Sequence, residues 1–146
     1  MKKILLGLAF LLGIIFQATA QENVGGAELQ FEKEVHDFGT LNQGGDASTE
    51  FVFTNTGTEP LVISNARGSC GCTVPEWPRE PIAPGAQAAI KVKYDSKRVG
   101  PINKSVTITS NASNAPTQVI RIKGNIKATP KEETMPVNQN AAPVAH

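Results

Sequence analysis

From residue 28 onward the chain alternates apolar and polar side chains with a period of two. Glu28-Leu29-Gln30-Phe31-Glu32-Lys33 alternates cleanly, and Phe51-Val52-Phe53-Thr54-Asn55 does so at its odd positions. Ile90-Lys91-Val92-Lys93-Tyr94-Asp95 sets Ile90, Val92 and Tyr94 on one face and Lys91 and Lys93 on the other. Val106-Thr107-Ile108-Thr109 and Ile120-Arg121-Ile122-Lys123 repeat the pattern, and Leu61-Val62-Ile63 is a short apolar run behind Pro60. Successive side chains of a strand point to opposite faces, so each run predicts a half-buried β-strand. No stretch after residue 20 holds a helical period of 3.6. Asn55-Thr56-Gly57, Pro84-Gly85, Gly100-Pro101 and residues 111–116 read as turns or loops between the runs. The expectation is an all-β fold, an antiparallel β-sandwich of about seven strands over residues 28–127.

The two ends follow other rules. Met1-Lys2-Lys3 is a positive start, residues 4–16 are an apolar run broken only by Gly7 and Gly13, and Ala18-Thr19-Ala20 is an A-x-A site. This is the layout of a secretory signal peptide over residues 1–20, and the apolar run is shorter than the ~20 residues of a bilayer span. No cysteine follows the cleavage site, which disfavours a lipid anchor, and residues 21–27 form a short polar lead. From residue 128 to His146 the composition turns to Pro, Ala, Asn, Gln and Glu without period and reads as a disordered tail. The expected location is therefore outside the cytoplasm, periplasmic or extracellular, with no membrane span left after cleavage.

Composition narrows the function classes. A chain of 146 residues suits one domain, and 14 Lys+Arg against 13 Asp+Glu gives +1. Loss of Lys2 and Lys3 with the signal peptide would take that to −1. Neither value drives a protein onto nucleic acid by bulk charge, and Lys91, Lys93, Arg121 and Lys123 read as the solvated faces of strands. His36 and His146 are the only imidazoles, no G-x-S-x-G, Walker or G-x-G-x-x-G sequence occurs, and the carboxylates are scattered. No catalytic residue, no metal site and no cofactor is expected.

Cys70-Gly71-Cys72 is the one reactive grouping. In an exported protein a pair of thiols is normally oxidised. On an extended strand the Cα atoms of an i, i+2 pair lie ~6.6–7 Å apart, at the upper limit of the ~4.4–6.8 Å found in disulfides. Gly71 allows the bend that would shorten the span. Closing a loop of about three residues restricts the unfolded chain by only ~1.6 kcal/mol. Three readings stand: a structural disulfide or buried thiol pair, a labile bond suited to thiol–disulfide exchange, and a soft Cu(I) site on two thiolates to which His36 could add a third ligand. Two thiolates do not complete a tetrahedral zinc site. Trp77, in a loop with Pro75, Pro78 and Pro81, is either an exposed interaction anchor or a cover for one end of the sandwich.

Several short motifs run in order along the chain: Val35-His36-Asp37-Phe38-Gly39, Phe51-Val52-Phe53-Thr54-Asn55-Thr56-Gly57 with Pro60-Leu61, Ser69-Cys70-Gly71-Cys72-Thr73, Pro81-Ile82-Ala83-Pro84-Gly85, Ser110-Asn111 and Ile122-Lys123-Gly124. In this order the chain resembles the bacterial domain-of-unknown-function family 1573 over about residues 28–126. The resemblance implies an exported immunoglobulin-like sandwich with no established enzymatic activity, similar to modules of sperm-protein and cilium-associated proteins. Phe38-Gly39 reads as a strand entering a sharp turn, and Asn55-Thr56-Gly57 with Pro60 as a device that ends one strand and re-aims the next. The function expected is a non-enzymatic module that binds or scaffolds other envelope or secreted proteins. The alternative is a thiol-active or copper-handling protein using Cys70 and Cys72.

Overall fold

The computed structural model describes residues 25–130. The expected signal peptide over residues 1–20 and nearly all of the expected tail lie outside the described residues. The described chain forms eight strands: β1 (Leu29–Phe31), β2 (Val35–Asn42), β3 (Ser48–Asn55), β4 (Ile63–Gly68), β5 (Thr73–Glu76), β6 (Gln87–Tyr94), β7 (Gly100–Ser110) and β8 (Thr117–Lys127). They make two four-stranded sheets in the orders β1-β3-β6-β5 and β2-β8-β7-β4, packed as an immunoglobulin-like sandwich. No helix among the described residues is long and apolar enough to cross a membrane.

Period two explains the core. Phe51 and Phe53 of β3, Ile90, Val92 and Tyr94 of β6, Val106 and Ile108 of β7 and Ile120, Ile122 and Ile126 of β8 are all buried between the sheets. The residues between them, such as Glu50, Lys91, Lys93, Thr107, Arg121 and Lys123, are exposed. Fully burying one large apolar side chain contributes about 1.5–3 kcal/mol, so these alternating runs are what hold the layers together.

One strand pair departs from the antiparallel expectation: β2 runs parallel to β8. The chain direction makes this unavoidable. Between Phe31 and Val35 the first edge passes from one sheet to the other without reversing, so β2 keeps the direction of β1. β8 comes to run the same way after the β6–β7 and β7–β8 reversals, and the two edges meet side by side.

Four local expectations are corrected. Gly100-Pro101 is not a turn but the start of β7, pairing with Ile126 and Asn125 of β8, since Pro is tolerated at the beginning of a strand. Phe38-Gly39 does not lead into a turn either. Gly39 takes the left-handed φ of 63°, but the chain continues as β2 through a bulge between Asp37 and Thr40. Leu61 only bridges to Ile82, and the strand behind it is the polar β4. β5, short and containing Pro75, lies in a stretch that reads as loop, yet it pairs with β6 from Thr73↔Tyr94 to Glu76↔Lys91.

Candidate functional site

Most of the ordered motifs meet in pairs as scaffold. Asn55, fully buried, uses its amide as a four-way tie. Its Oδ1 accepts from the N–H groups of Glu28 (3.2 Å) and Gly57 (3.0 Å), and its Nδ2 donates to the carbonyls of Glu59 (2.7 Å) and Ile82 (2.9 Å). The Phe51–Gly57 motif is thereby bound to the Pro81–Gly85 motif. Asn111 plays the same part for Pro60-Leu61: its Nδ2 donates to Pro60 O (3.1 Å) and its Oδ1 accepts from Val62 N (2.8 Å). The bulge at Gly39 lies against Gly124 of the Ile122–Gly124 motif, where a Cβ would sit 3.0 Å from Gly39 O. These contacts account for the residue types by packing and hydrogen bonding. They leave Ser69–Thr73 as the motif without a purely structural account.

That motif is the crossover from β4 in one sheet to β5 in the other. Cys70 and Cys72 are joined as a disulfide, with Cα atoms 5.2 Å apart. The separation is below the extended value because the pair does not share a strand face. The chain turns at Gly71, where Thr73 N–H donates to Cys70 O (3.2 Å). Other bonds hold the same turn. Ser69 N–H donates to Ser105 O (2.8 Å), Ser105 N–H to Ser69 Oγ (3.2 Å), and Asp95 N–H to Cys72 O (2.8 Å). Gly68 is needed here, since a Cβ would come within 2.2 Å of Thr73 O. The two sulfurs differ in access: Cys72 is 5% exposed, whereas Cys70 is only partly buried. The buried Thr73 hydroxyl lies 3.7 Å from Cys70 Sγ and 3.9 Å from Cys72 Sγ, within reach of a weak hydrogen bond to either.

A groove of about 450 Å³ runs beside the disulfide between the edges of β4 and β5, lined by Ala66, Arg67, Gly68, Cys70, Val74 and Pro75 among others. Three of the four sheet edges have part of their outward backbone hydrogen bonding taken up or removed. On β1, Leu29 N–H donates to Asn114 Oδ1 (3.1 Å), and Leu29 O accepts from Asn114 Nδ2 (3.1 Å) and Gln118 Nε2 (2.9 Å). On β2 the bulge interrupts the edge, and Gly39 N–H is taken by Asp37 Oδ1 (2.8 Å). On β5 the register turns Thr73 and Pro75 outward; Thr73 N–H is used in the turn and Pro75 has none. β4 differs. Because Ser69 N–H bonds Ser105 O, the register turns Ala66 and Gly68 away from β7. Among the described residues no side chain caps their backbone groups.

The other two sequence candidates lie elsewhere. Trp77 follows β5 and is partly buried against the core. The Arg79 guanidinium stacks 3.9 Å from its ring centroid, and its Nε1 is buried without a hydrogen-bond partner. His36 is on β2, its ring edge-on to Phe38 at 4.6 Å between centroids. Burial lowers its pKa below the usual 6.5, the Lys33 ammonium adds to this, and Asp37 opposes it. β2 and β4 are opposite edges of one sheet, about 14 Å apart at ~4.8 Å per strand, so His36 is not brought to the cysteines. Among the described residues no three His, Cys, Asp or Glu side chains gather as metal ligands. The groove beside β4 carries no motif that sequence reasoning recognises, because it is made by two edges joined only in space.

Comparison with solved structures supports the same architecture. A protein of unknown function from Porphyromonas gingivalis W83 is 18% identical, with TM-score 0.62, over 75% of this chain and 51% of that one. The VesB protease of Vibrio cholerae is 15% identical, with TM-score 0.57, over 67% of this chain and 32% of that one. The ASH/PapD-like domain 7 of human CEP192 is 8% identical, with TM-score 0.57, over 82% of this chain and 98% of that one. The chain thus spans about half the length of the first and a third of the second, and at these identities the likeness is one of fold. No curated protein matches the sequence. A family profile described as protein of unknown function (DUF1573) matches residues 29–126, which takes in all the paired motifs and the Cys-Gly-Cys crossover, and the chain belongs to that family.

Proposed function

We propose that the domain is an exported, non-enzymatic interaction module of the cell envelope that holds an extended segment of another envelope or secreted protein along β4. The observation that carries this is the contrast among the four edges. Leu29 is capped by side chains, β2 is broken by its bulge and β5 is blunted by Pro75, while Ala66 and Gly68 keep outward backbone groups beside a groove. An unpaired edge is a template for strand addition, in which main-chain hydrogen bonds supply affinity and the neighbouring groove supplies selectivity. Val74, 55% exposed on the far side of that groove, offers an apolar contact for an inserted side chain. The signal-peptide layout of residues 1–20 supports the envelope setting.

The test is site-specific photocrosslinking in the producing bacterium. A crosslinker at Arg67 on β4 is expected to trap a discrete exported protein, and one at Lys91 on the outer face of β6 is not. Ala66→Pro removes the outward N–H and is expected to abolish the Arg67 adduct while circular dichroism stays unchanged. Equal adducts at both sites, or an Arg67 adduct insensitive to Ala66→Pro in a folded protein, would refute docking on β4.

A further inference from the structure

We infer that Cys70–Cys72 is a thiol–disulfide exchange site, with Cys70 as the sulfur that is attacked and Cys72 as the one that leaves. The co-reactant is a dithiol in an extended segment of another exported protein. This does not rest on docking along β4, since an attacking thiol needs only to reach Cys70.

Three observations carry it. First, the bond is redundant as a staple. The turn it closes is already fixed by the hydrogen bonds of Thr73 N–H to Cys70 O, Ser69 N–H to Ser105 O, Ser105 N–H to Ser69 Oγ and Asp95 N–H to Cys72 O. A loop so short is constrained little by the cross-link. Second, access is one-sided, with Cys70 partly open on the groove and Cys72 5% exposed. A nucleophile must approach along the S–S axis from the accessible sulfur, so the buried sulfur becomes the leaving group. Third, the surroundings suit a thiolate. Arg67 is the one charged residue lining the groove, and the Thr73 hydroxyl, 3.7 Å from Cys70 Sγ and 3.9 Å from Cys72 Sγ, is within reach to donate to whichever sulfur carries charge.

The reaction balances as an exchange. A partner thiolate attacks Cys70 Sγ, the Cys70–Cys72 bond breaks, and Cys72 leaves as a thiolate that takes up a proton. The partner's second thiol loses its proton and attacks the partner sulfur in the mixed disulfide, expelling Cys70, which is protonated in turn. Two electrons and two protons pass from the partner to Cys70 and Cys72, and the partner gains one disulfide. The reverse sequence reduces a partner disulfide and returns Cys70 and Cys72 to the disulfide.

The full chain is incubated with glutathione buffers of graded reduced-to-oxidised ratio, quenched in acid and weighed by mass spectrometry. Oxidised and reduced protein are expected to converge on one ratio within an hour, with circular dichroism unchanged throughout. Cys72→Ser is expected to form a glutathione adduct at Cys70 at least tenfold faster than Cys70→Ser forms one at Cys72. With a reduced two-cysteine peptide, one peptide disulfide should appear per oxidised protein, and none with Cys70→Ser. A disulfide that resists 10 mM reduced glutathione in the folded protein and opens only in urea would overturn the inference. So would equal reactivity of the two cysteines. The double variant Cys70→Ser/Cys72→Ser reads the structural alternative directly: a urea midpoint lowered by less than half, as the weak constraint of so short a loop predicts, supports exchange, and a midpoint lowered by half or more overturns it.

Discussion

Replacing Asn55 tests the account of how the two longest motifs are joined. Its side chain satisfies two backbone donors, Glu28 N and Gly57 N, and two carbonyls, Glu59 O and Ile82 O. Asn55→Ala withdraws all four bonds at once. Ile82 O keeps the bond it receives from Leu61 N (2.8 Å), so three groups lose the partner described here. An unsatisfied buried group costs about 1–3 kcal/mol, and partial access of water to these three favours the lower end, giving roughly 3–4 kcal/mol in total. That is a large share of the ~5–15 kcal/mol typical of a domain. Urea unfolding followed by circular dichroism and by Trp77 fluorescence measures it. Asn55→Asp sharpens the test, because it keeps the shape but places an acceptor against the carbonyls of Glu59 and Ile82. Burial raises the pKa of that carboxyl above its unfolded value of about 3.9, so the folded state binds a proton that the unfolded state releases. Stability of Asn55→Asp relative to wild type should therefore rise as pH falls from 7 toward 4, where the proton supplies a donor to one carbonyl. An Asn55→Ala cost below 1 kcal/mol, or a pH-independent Asn55→Asp penalty, would show that the amide is not the tie described.

Gly68→Ala places a Cβ within 2.2 Å of Thr73 O and should cost about 1–3 kcal/mol in urea unfolding, whereas Gly71→Ala, with open space and no left-handed φ, should stay within about 0.5 kcal/mol. Asn114→Ala exposes the Leu29 backbone and is expected to cost about 1–2 kcal/mol while speeding amide exchange at Leu29; unchanged exchange would remove the capping role of Asn114. For His36 the folded pKa lies below the usual 6.5, so the fold favours the neutral ring. Its contribution is present above pH about 6.5 and is lost as pH falls through the folded value, and His36→Gln should flatten that slope. An NMR titration that places His36 above 6.5 would reverse the sign.

The strands with one buried face were legible because alternation is a local property. Phe51, Phe53, Ile90, Val92, Ile108, Ile120 and Ile122 declare their inward face through their polar neighbours, and all seven are buried. β4 and β5 were not legible as strands. Ser64-Asn65-Ala66-Arg67-Gly68 is polar and Thr73-Val74-Pro75-Glu76 contains a proline, so only the pairing partners β7 and β6 make them strands. The bulge at Gly39 was half visible: the residue announced a positive φ, but whether the chain would turn or continue depended on β8 alongside it.

The sequence alone determined the class of fold, the inward set of side chains, the position of the one sulfur pair and the signal-peptide layout, since each depends on residues close together in the chain. The tertiary structure decided what brings distant segments together: the parallel meeting of β2 with β8, the service of Asn55, Asn111 and Asn114 as ties between loops, and the separation of His36 from the cysteines by the width of a sheet. It also placed Cys70-Gly71-Cys72 in a crossover turn instead of on a strand face, with one sulfur open to a groove and the other shielded. Exposure of a side chain depends on what the rest of the chain packs against it, and no local pattern encodes that.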